Sequence, residues 1–233
     1  MFIRCHLDLA NIDYNKIILY GMHVGHSFLN SVFYTAWLVY TYTQNILIIN
    51  LFKTLRGFRS GLTSIIAAVN TYNPIWFINL DQSAAISIKF LAISCGEFSA
   101  TSFWINGFIS NYISIYNTYY KLRKISWFAY PTRNKNVNDS YNFWYFTRCT
   151  WPRTSFISNV SCSYQPAKES SYLGIPCLGI VDTNTYTHVV SIPIPGSDDS
   201  IDCLVFYNSY ISKFILLRKN NLILYWYFNT RKI

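Results

Sequence analysis

Short β-branched apolar runs alternate with stretches of helical periodicity along most of this chain, and no feature limits its fold more. Ile46-Leu-Ile-Ile49 is a run suited to a strand buried on both faces. Leu55, Phe58, Leu62, Ile65, Ile66 and Val69 follow at helical spacing, with Lys53, Arg56 and Arg59 on a neighbouring face. Asn73-Pro74 breaks that helix, Ile75 to Ile78 reads as a second strand, and Ser83 to Ile93 reads as a helix ending near Gly96. A short strand over 98–103, a helix from Ile105 to about Ile125 and an irregular stretch over 126–150 follow. The pattern then resumes with a strand from Ser155 to Val160, a short helix from Pro166 to Tyr172 closed by Gly174, and strands at Cys177 to Val181 and around Ile192 and Ile194. A last helix is expected from Ser200 to about Leu217, with Asp198 or Asp199 at its positive end. This alternation predicts an α/β fold, a parallel sheet with helices on both faces. The expected organisation is one domain over 1–233, with a variable insert at 113–150 and a C-terminal extension at 218–233.

Charge is sparse and unevenly placed. Only 12% of residues are charged, against 52% hydrophobic and 19% aromatic. Disorder over most of the chain is excluded by that balance. A solvated surface normally needs about 25–35% charge, so the exterior is expected to lie against partners and the free monomer to be unstable. The net charge is +9; residues 1–168 hold 14 Lys and Arg but 5 acids, whereas 169–202 hold 5 acids and no base. Basic clusters interleaved with Tyr, Trp and Asn suit backbone-directed RNA binding. The densest such stretch is the insert and its borders, with Lys121, Arg123, Lys124, Arg133, Lys135, Arg148 and Arg153 among Tyr119, Tyr120, Trp127, Tyr130, Tyr141, Trp144 and Tyr145. One restraint applies to the aromatics. Ile, Asn, Tyr, Phe, Lys and Met, all with A/T-rich codons, make up 99 of 233 residues, so codon drift accounts for part of them.

The first fifteen residues lack the apolar core of a secretory signal and the acid-poor character of a transit peptide. Cys5, Cys95, Cys149, Cys162, Cys177 and Cys203 form no C-x-x-C and are expected as free thiols. Ile17 to Phe52 and Phe98 to Tyr120 lack Lys, Arg, Asp and Glu. They motivate an alternative reading, a membrane-associated organellar protein, although their Asn, Ser, Thr and His content is costly in hydrocarbon.

Catalytic and cofactor signatures are not found. No G-x-G-x-x-G follows a strand, and there is no G-x-x-x-x-G-K-[ST]; Gly57 and Gly61 stand alone in a helical pattern. His23-Val-Gly-His26 brings two imidazoles together, with Cys5 or His6 as conceivable company, but the spacing matches no common zinc pattern. Asp182, Asp198, Asp199 and Asp202 lie near predicted strand ends without an evident nucleophile. The expectation is no enzyme, no cofactor, no metal and no small-molecule substrate.

Four strings then carry a resemblance. LGIPCLGIVDTN (Leu173 to Asn184) followed by IPGSDD (Ile194 to Asp199), YGMHVGH (Tyr20 to His26), IINLFKT (Ile48 to Thr54) and WINGFISNY (Trp104 to Tyr112) resemble, in order, segments of the bacterial-type small-subunit ribosomal protein 2 family. The resemblance implies a flavodoxin-like or Rossmann-like three-layer fold with a five-stranded parallel sheet and an inserted helical hairpin, here shortened and irregular. It implies a structural protein at the head–body junction of the small subunit, in contact with small-subunit rRNA and neighbouring ribosomal proteins. With the A/T-rich composition it points to a mitochondrially encoded member. His23, His26, Lys53, Arg56, Arg59, Trp104 and Asn111, with the insert cations, are the expected RNA contacts. The chain departs from the family in lacking Lys and Arg between Ser27 and Tyr42, and in carrying Leu80, Asp81 and Gln82 where basic residues are usual.

Overall fold

The computed structural model describes residues 14–101, 104, 106–111, 113–114, 117 and 153–230. The elements in chain order are α1 (Tyr14–Leu19), β1 (Val24–Ser27), β2 (Val39–Thr43), β3 (Ile46–Ile49), α2 (Leu51–Asn70), β4 (Ile75–Asn79), α3 (Ala85–Cys95), β5 (Phe98–Thr101), β6 (Thr154–Ile157), α4 (Tyr164–Tyr172), β7 (Cys177–Val181), β8 (Ile192–Pro195) and α5 (Ile201–Thr230).

Five strands form an all-parallel sheet in the order β5-β4-β6-β7-β8. This is the flavodoxin-like order, in which the chain crosses from one edge to the other side of β4. The apolar runs are continuous because both faces are covered. Every residue of β4, β6 and β7 is buried, and alternate residues serve different cores. Ile75, Phe77, Phe156, Leu178 and Ile180 join Phe58, Leu62, Ile65, Ile88, Leu204, Tyr207 and Ile211 from α2, α3 and α5. Trp76, Ile78, Ile157, Cys177 and Val181 face the other way, against Trp104, Ile109, Ala167, Val189 and Val190.

Local signals explain the helix limits. Asn50 caps α2 by accepting the Phe52 N–H at 3.0 Å. Gly96, at φ +65°, takes the left-handed position that closes α3. Gly57 and Gly61 have a packing role. A Cβ on Gly57 would stand 2.8 Å from the Pro193 carbonyl oxygen and 3.0 Å from the Ile194 Cα, and one on Gly61 would stand 2.7 Å from Leu178. The two glycines let α2 lie directly on β7 and β8.

Three expectations need correction. Ile46–Ile49 is not a doubly buried strand of the parallel sheet. It is the middle strand of a small antiparallel sheet, β1-β3-β2, with Ile46 exposed. This hairpin follows from Gln44 and Asn45, both at positive φ, which turn β2 back onto β3. The charge-free stretch from Ile17 to Phe52 is thus spent on α1 and this sheet, and no described helix is long and apolar enough to cross a membrane. The helix expected from Ile105 does not begin there: residues 106–111 are turns, held as described below. The last helix does not end near Leu217 but continues to Thr230, past the start expected for a C-terminal extension.

Glu97 pins α5 to the sheet. Its carboxylate accepts the Ile75 N–H at 2.8 Å and pairs with Lys219, whose ammonium also donates to the Cys95 carbonyl at 2.8 Å. Burial pushes the Glu97 carboxyl above its usual 4.5, with Lys219 and the Ile75 N–H opposing. A carboxyl raised in the folded state stabilises while protonated, below its unfolded value, and that contribution is lost as pH rises through the folded value. Urea midpoints measured from about pH 4 to about pH 8 should therefore lose a declining component in Glu97→Gln, which still accepts the Ile75 N–H. Gly57→Ala should destabilise by about 1–3 kcal/mol, since the atoms in its way are backbone, as read from the same unfolding curves.

Candidate nucleic-acid interface

Burial sorts the charges by sign. Glu97, Glu169, Asp182 and Asp198 are buried, leaving Asp81, Asp199 and Asp202 as the partly or fully accessible acids among the described residues. No Lys or Arg whose side chain is described is buried. The acidic patch expected over 169–202 is therefore mostly interior, and the folded surface is more basic than the composition suggests.

The cations of α2 divide. Arg56 and Arg59 are exposed. Lys53 is half-buried, donates to the Trp37 carbonyl and lies 6.0 Å from the centre of the Trp37 ring. It ties the small sheet to α2, whereas the two arginines stand free to meet phosphate. Beside them the small sheet and its approaches expose Phe28, Leu29, Phe33, Tyr34, Trp37, Tyr40, Tyr42 and Phe52. Sequence reading did not anticipate this aromatic surface, because Phe28, Leu29, Phe33, Tyr34 and Trp37 lie in short 3-10 turns between β1 and β2, where residue pattern does not show which side chains face outward.

Trp104 and Asn111 part company. Trp104 is a core side chain, at 5.0 Å between ring centres from Phe108 and edge-on to Trp76. Its indole N–H donates to Glu169 at 3.1 Å. The same buried carboxylate accepts the backbone N–H groups of Gly107 at 2.7 Å and Ile109 at 3.0 Å. Glu169 thus organises the 106–111 turn, which needs Gly107 at φ +86°. The expected contact role for Trp104 does not suit an indole turned inward. Asn111 sits exposed at the end of that turn. Lys121, Arg123, Lys124, Arg133, Lys135 and Arg148 lie outside the described residues.

His23 and His26 belong to a clamp between the N-terminal segment and the carboxyl edge of the sheet. The His23 carbonyl accepts the Ile49 N–H at 2.8 Å, the His26 N–H donates to Thr183 Oγ1 at 2.9 Å, and the Ser197 N–H donates to the Met22 carbonyl at 3.1 Å. Gly25 allows this approach, since a Cβ there would stand 2.8 Å from Thr183 Cγ2. The His26 ring lies between Asp182 and Asp199, each 3.3 Å from one ring nitrogen, and Asn184 Nδ2 is 3.1 Å from Nε2. Burial raises the Asp182 carboxyl, and burial followed by the Asp182 charge pushes Asp198 up to about 7. Among the described residues His23 joins no group with His26 that could hold a metal ion, whereas Asp182 and Asp199 do, and they come from loops that spacing in sequence could not bring together; Cys5 and His6 lie outside the described residues.

Replacing Glu169 tests the turn. Glu169→Ala leaves the Trp104 indole and two backbone N–H groups without their acceptor. The expected cost is about 2–4 kcal/mol, the range for orphaned buried donors. Urea unfolding followed by tryptophan fluorescence reads it.

The two strings of the resemblance that lie farthest apart, Tyr20 to His26 and Asp182 to Asp199, are thus packed against each other. The chain is 26% identical to small ribosomal subunit protein uS2 of Buchnera aphidicola over 88% of its length and 90% of that protein's. It is 27% identical to the uS2 protein of Sulfurimonas denitrificans over 78% and 75% of the two chains, and 24% identical to that of Idiomarina loihiensis over 85% and 88%. The model of the family described as ribosomal protein S2 matches residues 17–216, the span that holds both sheets and the clamp, and the chain belongs to that family.

Proposed function

We propose that this chain is a protein of a mitochondrial small ribosomal subunit that binds small-subunit rRNA and neighbouring ribosomal proteins at the head–body junction. Membership of the S2 family makes it a structural component of the ribosome and not an enzyme. The observation that carries the RNA reading is the sorting of charge: buried acids and outward cations leave a surface that attracts phosphate. Arg56 and Arg59 supply exposed cations on a rigid helix, with no carboxylate three or four residues away to neutralise them. Lys53 contributes by holding the small sheet. Asn111 and the insert cations Lys121, Arg123, Lys124, Arg133, Lys135 and Arg148 extend the RNA-binding surface, and His23 and His26 shape its edge. The uncharged aromatic surface of the small sheet suits contacts with neighbouring proteins. The mitochondrial assignment draws on the A/T-rich codon usage implied by the composition. The aromatic surface also favours a second reading, association with a membrane surface; flotation of the protein with phospholipid vesicles separates the two, because a membrane-surface protein rises with the vesicles and a ribosomal one does not.

Sedimentation decides the main reading: the protein should travel with small subunits at moderate salt, and its absence from those fractions would refute the assignment. Arg56→Gln with Arg59→Gln should release the protein at lower salt. Each lost phosphate contact should lower the log–log salt slope by roughly 0.7–0.9. An unchanged salt-release profile removes this face from the RNA interface.

A further inference from the structure

We propose that the outward face of α4 and the loop after β7 bind a single-stranded segment of RNA, with an unpaired base stacked on Tyr186 and His188 and a phosphate held by Lys168. The inference rests on the rRNA reading above and adds a contact site to it. Tyr164, Tyr186 and His188 form a closed triad. Ring centres are 6.2 Å apart for Tyr164 and Tyr186, 6.4 Å for Tyr164 and His188, and 6.0 Å for Tyr186 and His188. The interplanar angles are 68°, 69° and 72°, so none of the three lies face to face with another. Tyr186 is 50% exposed, and His188 is exposed as well. Face-to-face stacking is thus left to a flat partner from outside, and unpaired bases stack on aromatic planes with little regard to sequence.

The helix continues the site. Tyr164, Lys168 and Tyr172 recur every four residues, so they share one side of α4, each about 6 Å along the axis from the last. Lys168 Nζ lies 5.8 Å from the centre of the Tyr172 ring, and Tyr172 is 76% exposed. Ala167 and Glu169 face inward on the same helix, which fixes this ladder and limits the ordering cost of binding. Charge and side-chain type select RNA over protein. Lys168 forms no ion pair among the described residues. The one acid of α4, Glu169, is buried and engaged by the 106–111 turn. The stretch over 183–197 holds no Lys, Arg, Asp or Glu. The exposed large hydrophobic side chains described between residues 153 and 200 are Tyr172, Leu173 and Tyr186, so this face offers rings and a cation with little aliphatic surface. A cation among aromatic planes is the pattern that tracks a single strand, the rings taking bases and the ammonium the backbone.

Ultraviolet cross-linking of isolated small subunits, followed by mass spectrometry of this chain, tests the site. A nucleotide adduct is expected on the peptide holding Tyr186 and His188 or on the one holding Tyr164 to Tyr172. Absence of both would overturn the site, and adducts elsewhere on the chain would then leave the rRNA reading standing. A chain missing from the small-subunit fractions would overturn the two together. Cross-links from Lys168 to a neighbouring protein, with no nucleotide adduct, would assign the face to a protein contact and refute the proposal. Binding of the full-length chain to a short fluorescein-labelled oligouridylate gives a second readout. Tyr186→Ala should weaken it by roughly 5- to 100-fold, the effect of losing one stacked base, whereas Tyr186→Phe keeps the ring and should bind as the parent does. Lys168→Gln should lower the log–log salt slope by roughly 0.7. Tyr172→Ala changes a largely exposed ring outside the triad and should weaken binding too, which keeps the test valid should Tyr186→Ala fail to fold. Equal affinity of the parent chain and the two alanine variants would overturn the proposal.

Discussion

Three central strands buried on both faces are the constraint from which the rest of this molecule follows. β4, β6 and β7 expose no residue to water, so each needs a cover above and below. On one side α2, α3 and α5 supply it with Phe58, Leu62, Ile88 and Tyr207. On the other, α4 covers only part, and the 106–111 turn brings in Trp104 and Ile109. That turn packs Phe108 and Ile109 on this core, and one carboxylate, Glu169, gathers its N–H groups. A buried anion is tolerated there because its oxygens are filled by hydrogen bonds.

The same economy recurs at the sheet's carboxyl edge. Asp182 and Asp198 are interior groups, Asp198 accepting the Ser161 hydroxyl at 2.8 Å, and His26 reaches Asp182 across 156 positions of sequence. Acids are drawn inward, where they serve structure, while the described cations stay outward. A surface of this sign is what a partner rich in phosphate would select, and the aromatic face of the small sheet is what an uncharged protein neighbour would select. Both follow from where the fold places side chains rather than from any catalytic arrangement.

Much of the scaffold is legible in the residues. The runs at Ile75 and Cys177 were readable as strands because doubly buried strands need no alternation. α2 and α3 were readable because their apolar positions recur at helical spacing and Asn50 and Gly96 mark their limits. The five-stranded parallel sheet came from resemblance, and the order of its strands from the structure. Ile46–Ile49 was misread because an apolar run of four looks the same in a parallel core and in a small antiparallel sheet. The last helix was cut short because the polar run Arg218-Lys219-Asn220-Asn221 resembles a helix end, whereas the helix continues through it to Thr230.

Composition and local pattern by themselves determined the α/β class, the excess of positive charge and the lack of familiar catalytic motifs, since these depend on residue type and near neighbours. Only the tertiary structure decided which charges count. Glu169 and Asp182 belong to the acid-rich stretch of the sequence, and Trp104 was expected among the RNA contacts, but each is interior. Whether a polar group faces water or a buried donor depends on chain segments tens to hundreds of residues away. His26 meets Asp182 and Asp199 only after the N-terminal segment has folded over the ends of β7 and β8.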